Sequence, residues 1–401
     1  MKILFIAMSN SVHSARWIAQ IADQGWDLHL FPSEDLGDVH PDLKNVTVHH
    51  SLYSYKQSLQ NPLVRLHGIP LPTNFMANAG RYLMKVMSPD YRTMQLKRLI
   101  QRHRPDIIHS MEFQSAGYLT LNVKSQMNRQ FPPWIATNWG SDIYLFGRLP
   151  QHRERIQEVL SSCTYYSCEC QRDVELAQSL GLKGKVLPVL PNTGGYDLKR
   201  ITGLIQTEQT STRRMILLKG YQGLFGRALV ALRAIGMSAR WLQGYRVVVY
   251  SAWKDEGIKI ASELLHQDTG LSVEVIPSCT HEEMLRLFGQ ARVYLGLSIS
   301  DAISTSLLES MIMGAFPIQS NTSSADEWIV DGETGFIVPP EDPEIISAAI
   351  RRAVSEDALV DNAARINART ARERLDVSVI KPKVISIYQD IYAESLGRQS
   401  S

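Results

Sequence analysis

Ser300-Asp301-Ala302-Ile303-Ser304-Thr305-Ser306-Leu307-Leu308-Glu309-Ser310-Met311-Ile312-Met313-Gly314-Ala315-Phe316-Pro317-Ile318 is the most informative stretch of this 401-residue chain. The apolar run Val293–Leu297 just before it reads as a strand. Leu307–Met313 reads as a helix, Gly314 stops it, and Pro317-Ile318 opens the next strand. A strand, a helical crossover and a returning strand predict parallel pairing. Asp301 then sits just after a strand, and Glu309 about one turn into the helix. Between them, the main-chain N–H groups of Ile303, Ser304, Thr305 and Ser306 are expected at the helix N-terminus. Exposed donors and the helix dipole there attract a diphosphate. One carboxylate can accept hydrogen bonds from sugar hydroxyls and the other from ribose hydroxyls. The plainer alternative makes Asp301 a helix cap and Glu309 a surface residue.

The same alternation extends outward in both directions. Lys2–Met8 is a continuous apolar run, as suits a strand covered on both faces. Ala15, Ile18, Ala19 and Ala22 follow at helical spacing, and Leu28–Phe31 reads as the next strand. Runs at Ile107–His109, Trp134–Thr137, Tyr165–Ser167 and Val186–Leu190 alternate with helical stretches such as Gln114–Val123 and Gln171–Leu180. After the polar stretch Lys199–Arg214 the pattern restarts at Met215–Leu218, Val247–Tyr250, Val273–Ile276 and Val293–Leu297. The fold class is therefore α/β, with two doubly wound Rossmann-like domains facing across a cleft. The expected boundaries are 1–198, a connector at 199–214, and 215–377. A final helix, 378–401, carries Ile380, Val384, Ile387, Ile391 and Tyr392 at helical spacing and is expected to pack back on the first domain.

Bulk properties agree with two ordinary cores. The chain is 44% hydrophobic and 20% charged, with a formal net charge of +2, which gives no global reason to expect nucleic acid as a partner. No run approaches the ~20 apolar residues of a spanning helix. The apolar start meets Asn10, His13 and Arg16 without a small-residue cleavage site, so a buried first strand and a cytoplasmic protein are expected. Cys163, Cys168, Cys170 and Cys279 lack zinc spacing and read as reduced thiols. The densest local charge is Arg81–Arg104, where seven basic residues face only Asp90. It reads either as a solvated helical face or as an amphipathic surface helix for anionic lipid at the inner face of the membrane or for a lipid-linked, phosphate-bearing acceptor.

A second candidate site opens the second half: Leu217-Leu218-Lys219-Gly220-Tyr221-Gln222-Gly223-Leu224-Phe225-Gly226-Arg227-Ala228. Gly220 and Gly223 let a backbone approach a diphosphate, while Lys219 and Arg227 can neutralise it. In the first half, Ser11 and His13 lie in the polar loop Ser9–Ser14 after the first strand. They read either as helix caps or as groups facing acceptor and donor phosphate. His109 and Glu112 end a later strand, and Trp139-Gly140-Ser141-Asp142 forms a turn that can present Ser141 and Asp142.

Together these motifs resemble family 4 of the retaining glycosyltransferases, which have the GT-B architecture. The acid-x7-acid spacing of Asp301 and Glu309 is similar to that family's signature. Asp301 stands where Glu is usual, and Ile303-Ser304 where Phe-Gly is usual. Asp326-Glu327-Trp328 and Asp331–Pro340 resemble the downstream pattern. Pro105-Asp106-Ile107-Ile108-His109 and Pro191-Asn192-Thr193-Gly194 resemble strand-end turns of its first domain. Met111 holds the place of a second His that often touches the transferred sugar.

The resemblance implies a hexosyl-type transfer from a nucleotide-diphosphate donor to a glycan, lipid-linked or small-molecule acceptor. It implies retention of anomeric configuration and service in surface polysaccharide or glycoconjugate synthesis. It also implies no metal and no cofactor, with the nucleotide sugar as substrate. Asp301, Glu309, Lys219 and Arg227 carry the catalytic expectation. Ser11, His13, His109, Glu112, Ser141 and Asp142 are the acceptor-side or cleft candidates. The rival readings are a nucleotide-sugar 2-epimerase of the same architecture and a catalytically weak binding subunit.

Overall fold

A computed structural model describes residues 1–56, 61–127, 131–193, 195–206, 208–252 and 254–399. Gly194, Thr207, Ser400 and Ser401, which figure in the motifs and segments above, lie outside the described residues. The chain forms two units, Met1–Gly195 with Ser378–Ser401, and Tyr196–Val377.

Among the described residues the first unit holds eight parallel strands: β1 (Lys2–Ala7), β2 (Asp27–Pro32), β3 (Val46–Ser54), β4 (Val64–Leu71), β5 (Ile107–Met111), β6 (Trp134–Thr137), β7 (Tyr165–Ser167) and β8 (Lys185–Val186). Their order is β4-β3-β2-β1-β5-β6-β7-β8. Successive side chains of a strand point to opposite faces. In β1, Ile3, Phe5 and Ala7 join a core with Trp17, Ile18, Val384 and Tyr388. Leu4 and Ile6 join a second core with Leu96, Trp134 and Ile156. Both faces are covered, so the run carries no polar alternation. β3 and β4 were not legible in the sequence. His49, His50 and Ser51 are buried in the middle of β3 and interrupt its apolar pattern.

The helix Val377–Gln399 lays Ile380, Val384, Ile387, Tyr388 and Ile391 into the first of those cores. A polar chain fixes it there. The Trp17 indole can only donate, and it does so to the Tyr388 hydroxyl at 2.8 Å. Tyr388 therefore has its own proton for His109 Nδ1 at 2.7 Å. The remaining ring proton sits on Nε2 and goes to Thr137 Oγ1 at 2.6 Å. His109 is 1% exposed, and burial pushes its pKa down to about 3, so the ring is neutral. This corrects the sequence reading of His109 as a cleft residue: both of its nitrogens are used inside the unit.

Among the described residues the second unit holds six parallel strands: β9 (Met215–Lys219), β10 (Arg246–Tyr250), β11 (Ser272–Val275), β12 (Val293–Gly296), β13 (Phe316–Ser320) and β14 (Phe336–Val338). Their order, β11-β10-β9-β12-β13-β14, reverses direction between β9 and β12. In open parallel sheets ligands bind outside the carboxyl ends of the strands at such a switch point. β1 and β5 flank the corresponding point of the first unit.

Two polar segments differ from expectation for one shared reason. The 199–214 stretch belongs to the second unit instead of standing free as a connector. Arg213 is buried and donates to the carbonyls of Ala291 at 3.2 Å and Met313 at 3.3 Å. Thr210 Oγ1 donates to Gly314 O at 2.6 Å. Helix C-termini leave orphan carbonyls, and this polar stretch satisfies those of two helices. The basic stretch 81–104 is likewise two helices, Asn74–Met87 and Tyr91–His103. Arg81 is buried and donates to Leu36 O at 2.7 Å. Arg92 lies over the Phe31 ring at 4.0 Å and pairs with the buried Asp35 at 3.5 Å. Both arginines hold the unit together instead of facing solvent.

Tyr388→Phe leaves Trp17 Nε1 and His109 Nδ1 buried without a partner. It is expected to destabilise the first unit by about 2–4 kcal/mol, read as a lower urea midpoint with an unchanged far-UV spectrum. An unchanged midpoint would remove this network from the account of how the C-terminal helix is held.

Candidate functional site

In the second unit, the loops leaving β9 and β12 are joined backbone to backbone. Arg227 N donates to Leu297 O at 3.1 Å and Ile299 N to Phe225 O at 2.8 Å, flanking an antiparallel bridge between Gly226 and Ser298. Gly226 is required because the loop closes on itself: a Cβ there would lie 1.8 Å from the Tyr221 carbonyl oxygen. Gly223 turns the chain at φ +82°, in the left-handed region that favours glycine. Gly220 admits no side chain either, since a Cβ would meet Val249 Cγ1 and Ala252 Cβ at 2.6 Å. The sequence-predicted glycines therefore shape the loop, and the loop brings the 219–227 segment against the 297–301 segment.

The two cations of that loop differ. Lys219, at the carboxyl end of β9, has its ammonium 5.9 Å from the Tyr221 ring centre. Among the described residues that ammonium makes no hydrogen bond or ion pair. Arg227 Nε pairs with Glu341 at 2.7 Å, a carboxylate that is itself 65% exposed. Exposed pairs contribute only ~0–1 kcal/mol, so an incoming anion can displace Glu341. No local sequence signal marks Glu341, which lies just past the Pro339-Pro340 pair.

The helix after β12 spans Thr305–Met313 and ends at Gly314 with φ +79°. It starts later than the donors expected at Ile303 and Ser304, both of which are buried in the approach to it. The amides lacking intrahelical partners are therefore those of Thr305, Ser306 and Leu307. Ser304 occupies the N-cap without capping through its side chain, and the first turn carries no acid. Instead Tyr250 donates from β10 to Ser306 Oγ at 2.8 Å, and the Tyr294 hydroxyl of β12 lies 3.5 Å from Ser304 Oγ. Gly296 makes room for that hydroxyl, since a Cβ would lie 2.0 Å from it. Burial raises the pKa of both tyrosines, keeping them neutral donors. The helix start is thus held from beneath by buried hydroxyls, with its dipole uncompensated by a cap.

Glu309 is buried, which corrects the alternative of a surface residue. His281 Nε2 meets its Oε1 at 2.7 Å, and the Tyr196 hydroxyl stands 3.5 Å away. His281 opens the helix His281–Gln290, which has a capping box formed by Thr280 and Glu283. That Thr-x-x-Glu signal was available in the sequence; the partnership with Glu309 was not. Asp301 is partly exposed, and its amide donates to Thr322 O at 3.3 Å.

In the first unit, Ser11 is the N-cap of the helix Val12–Ala19, accepting from His13 N at 3.2 Å. The His13 ring lies 5.4 Å from that of Trp139. Ser141 begins the short helix Ser141–Tyr144. Asp142 is buried, and its Oδ2 accepts from Phe113 N at 2.9 Å and Trp139 N at 2.7 Å. It therefore ties the exits of β5 and β6 together, a structural task the cleft reading did not foresee. Glu112 is buried beside it and accepts from Ser115 N at 2.9 Å. Burial raises both carboxyls, and each is raised further by neighbouring acid, Asp142 by Glu112 itself. Glu112 also holds φ +81° and ψ 156°, a region almost reserved for glycine and concentrated at functional sites. Asn192 donates to Asn138 O at 3.2 Å, within the turn motif read from 191–194.

Residues 247–372 match the family model described as glycosyl transferases group 1. Residues 80–167 match the one described as glycosyl transferase 4-like. No curated protein sequence matches the chain. Among solved structures it is similar to sucrose-phosphate synthase from Thermosynechococcus elongatus, at 16% identity and TM-score 0.70, covering 98% of this chain and 100% of that one. It is also similar to Anabaena HepE in complex with UDP-glucose, at 12% identity and TM-score 0.68, covering 97% and 100%. A glycosyltransferase from Rickettsia africae gives 13% identity and TM-score 0.65, covering 97% of each chain. The fold is that of the GT-B glycosyltransferases. The two family matches, one in each unit, support a glycosyltransferase. The group 1 match spans Asp301, His281 and Glu309, while Lys219 and Arg227 lie before its start.

Gly226→Ala forces the Tyr221–Gly226 turn open and breaks its bridge to Ser298. A loss of roughly 2–4 kcal/mol in the stability of the second unit is expected from such backbone strain, measured by denaturant unfolding. Wild-type stability in this variant would contradict the close approach.

Proposed function

We propose that the chain transfers a hexosyl-type sugar from a nucleoside diphosphate donor to a glycan, lipid-linked or small-molecule acceptor, with retention at the anomeric carbon. The observation that carries the reading is the start of Thr305–Met313, where the Ser304 side chain makes no cap, together with Lys219 at the switch point of the second sheet, whose ammonium has no ion-pair partner among the described residues. Anions bind where helix donors, dipole and a cation converge. The HepE structure holds UDP-glucose, which supports a nucleotide sugar as donor here.

In this reading Lys219, Arg227 released from Glu341, and the amides of Thr305 and Ser306 receive the diphosphate. Glu309, with its plane set by His281, accepts hydrogen bonds from the ribose hydroxyls. Asp301 accepts from hydroxyls of the donor sugar. The bond from the anomeric carbon to the phosphate oxygen breaks as the acceptor oxygen bonds on the same face. The acceptor proton passes to the departing phosphate oxygen. Stabilising that developing charge falls to the cations and helix start, without a metal. His13 and Ser141 remain acceptor-side candidates, with Glu112 and Asp142 shaping the loops around them. Surface polysaccharide or glycoconjugate synthesis at the inner face of the cytoplasmic membrane is the setting that suits a lipid-linked acceptor.

Asp301→Asn keeps size and removes charge. It is expected to lower transfer ~100-fold or more while nucleoside diphosphate affinity stays within a few fold. Lys219→Ala should do the reverse in kind, weakening nucleotide binding about tenfold or more through loss of a charge-assisted contact. Proton NMR of the product should show the donor's anomeric configuration. An inverted product overturns retention. Epimerised sugar released without acceptor, or nucleotide binding with no turnover, overturns the transferase.

A further inference from the structure

The helix Asn74–Met87 in the first unit is inside out. A helix packed on a globular unit ordinarily turns its apolar stripe inward. Here the buried positions are Ala77 and Arg81. The outward positions Phe75, Met76, Tyr82, Leu83, Val86 and Met87 are exposed, from 46% at Met76 to 79% at Phe75, with exposed Ala79 among them. At 3.6 residues per turn these seven fall on one arc of about 140°, and no polar residue interrupts it. The inward face is fastened by polar contacts: Arg81 donates to Leu36 O and Leu52 O and to its own helix at Asn78. Among the described residues nothing covers the apolar arc, which leaves it to an outside partner. Contiguous exposed apolar surface of this kind marks an interaction site.

Charge selects among the partners. Residues 61–104 contain eight Lys or Arg and one acid, Asp90. Arg81 and Arg92 are committed inside the unit, leaving Arg65, Lys85, Lys97, Arg98, Arg102 and Arg104. A second copy of this chain would bring the same basic surface against itself, whereas an anionic lipid surface complements it. Among the described residues no helix is long and apolar enough to cross a membrane, so the fitting geometry is a helix lying in the interface plane.

We propose that the arc of Asn74–Met87 inserts into the interfacial region of an anionic bilayer, with the flanking basic residues over the headgroups. This sharpens the membrane setting proposed above and replaces the continuous basic helix expected from the sequence. It stands apart from sugar transfer, because vesicle binding requires neither donor nor acceptor.

The test is co-sedimentation of the full chain with phosphatidylcholine vesicles with and without phosphatidylglycerol, for wild type and for Phe75→Ser/Tyr82→Ser/Val86→Ser. These side chains are exposed, so the variant should keep the wild-type circular dichroism spectrum and nucleotide affinity. The wild type should bind the phosphatidylglycerol vesicles and remain a monomer without them. The triple variant should partition at least ~tenfold more weakly, since three apolar side chains no longer enter lipid. Equal sedimentation of the two proteins overturns the proposal. So does a wild-type dimer that the triple variant dissociates, which would give the arc to a second copy. Nucleotide binding in either case shows that the donor reading survives independently.

Discussion

Backbone hydrogen bonds between the loop leaving β9 and the loop leaving β12 are the constraint on which the second unit's site depends. Arg227 N to Leu297 O and Ile299 N to Phe225 O close the gap that opens where the strand order reverses. They hold a Gly-rich loop with two cations beside the approach to a helix start. The contact is only possible because Gly226 brings the loop back onto the Tyr221 carbonyl. Beyond the glycine it needs, a main-chain zip draws on no side-chain functional group. The cations can therefore sit on it without being consumed by holding it, and Lys219 in particular stays available.

A second layer of order lies beneath. Tyr250 and Tyr294 rise from β10 and β12, the strands on either side of β9, toward Ser306 and Ser304, and Gly296 leaves the space that Tyr294 needs. Neutral buried hydroxyls fix the helix start without adding a negative charge where an anion would bind. An Asp or Glu cap would satisfy the same amides and oppose the same ligand. His281 treats Glu309 comparably: it orients a buried carboxylate from a neighbouring helix.

The sequence was most readable where apolar runs coincide with covered strands, as at β1, β9 and β12, because both faces are packed and no polar alternation intrudes. The switch-point helix was legible for the same reason, with Gly314 marking its end. Polar residues doing structural work were misread. His109 looked like a site residue because the apolar run read as a strand stops at it, yet it lies within β5 and locks the C-terminal helix through Tyr388, some 279 positions away in sequence. Arg213 looked like connector and caps two helix C-termini. Arg81 and Arg92 looked like surface charge and are internal clamps. Each depends on a partner far along the chain, and no local pattern encodes such a partner. The Glu341 and His281 partnerships escaped for that reason as well.

The central claim is that the donor diphosphate binds in the second unit, at the β9/β12 switch point. Amide hydrogen exchange with and without a nucleoside diphosphate tests it most directly, since both loops and the helix start offer backbone amides to report on. The account predicts slowed exchange concentrated in 219–228 and 297–309. Protection absent from both segments despite measurable binding, or confined to the 9–14 loop of the first unit, would contradict it.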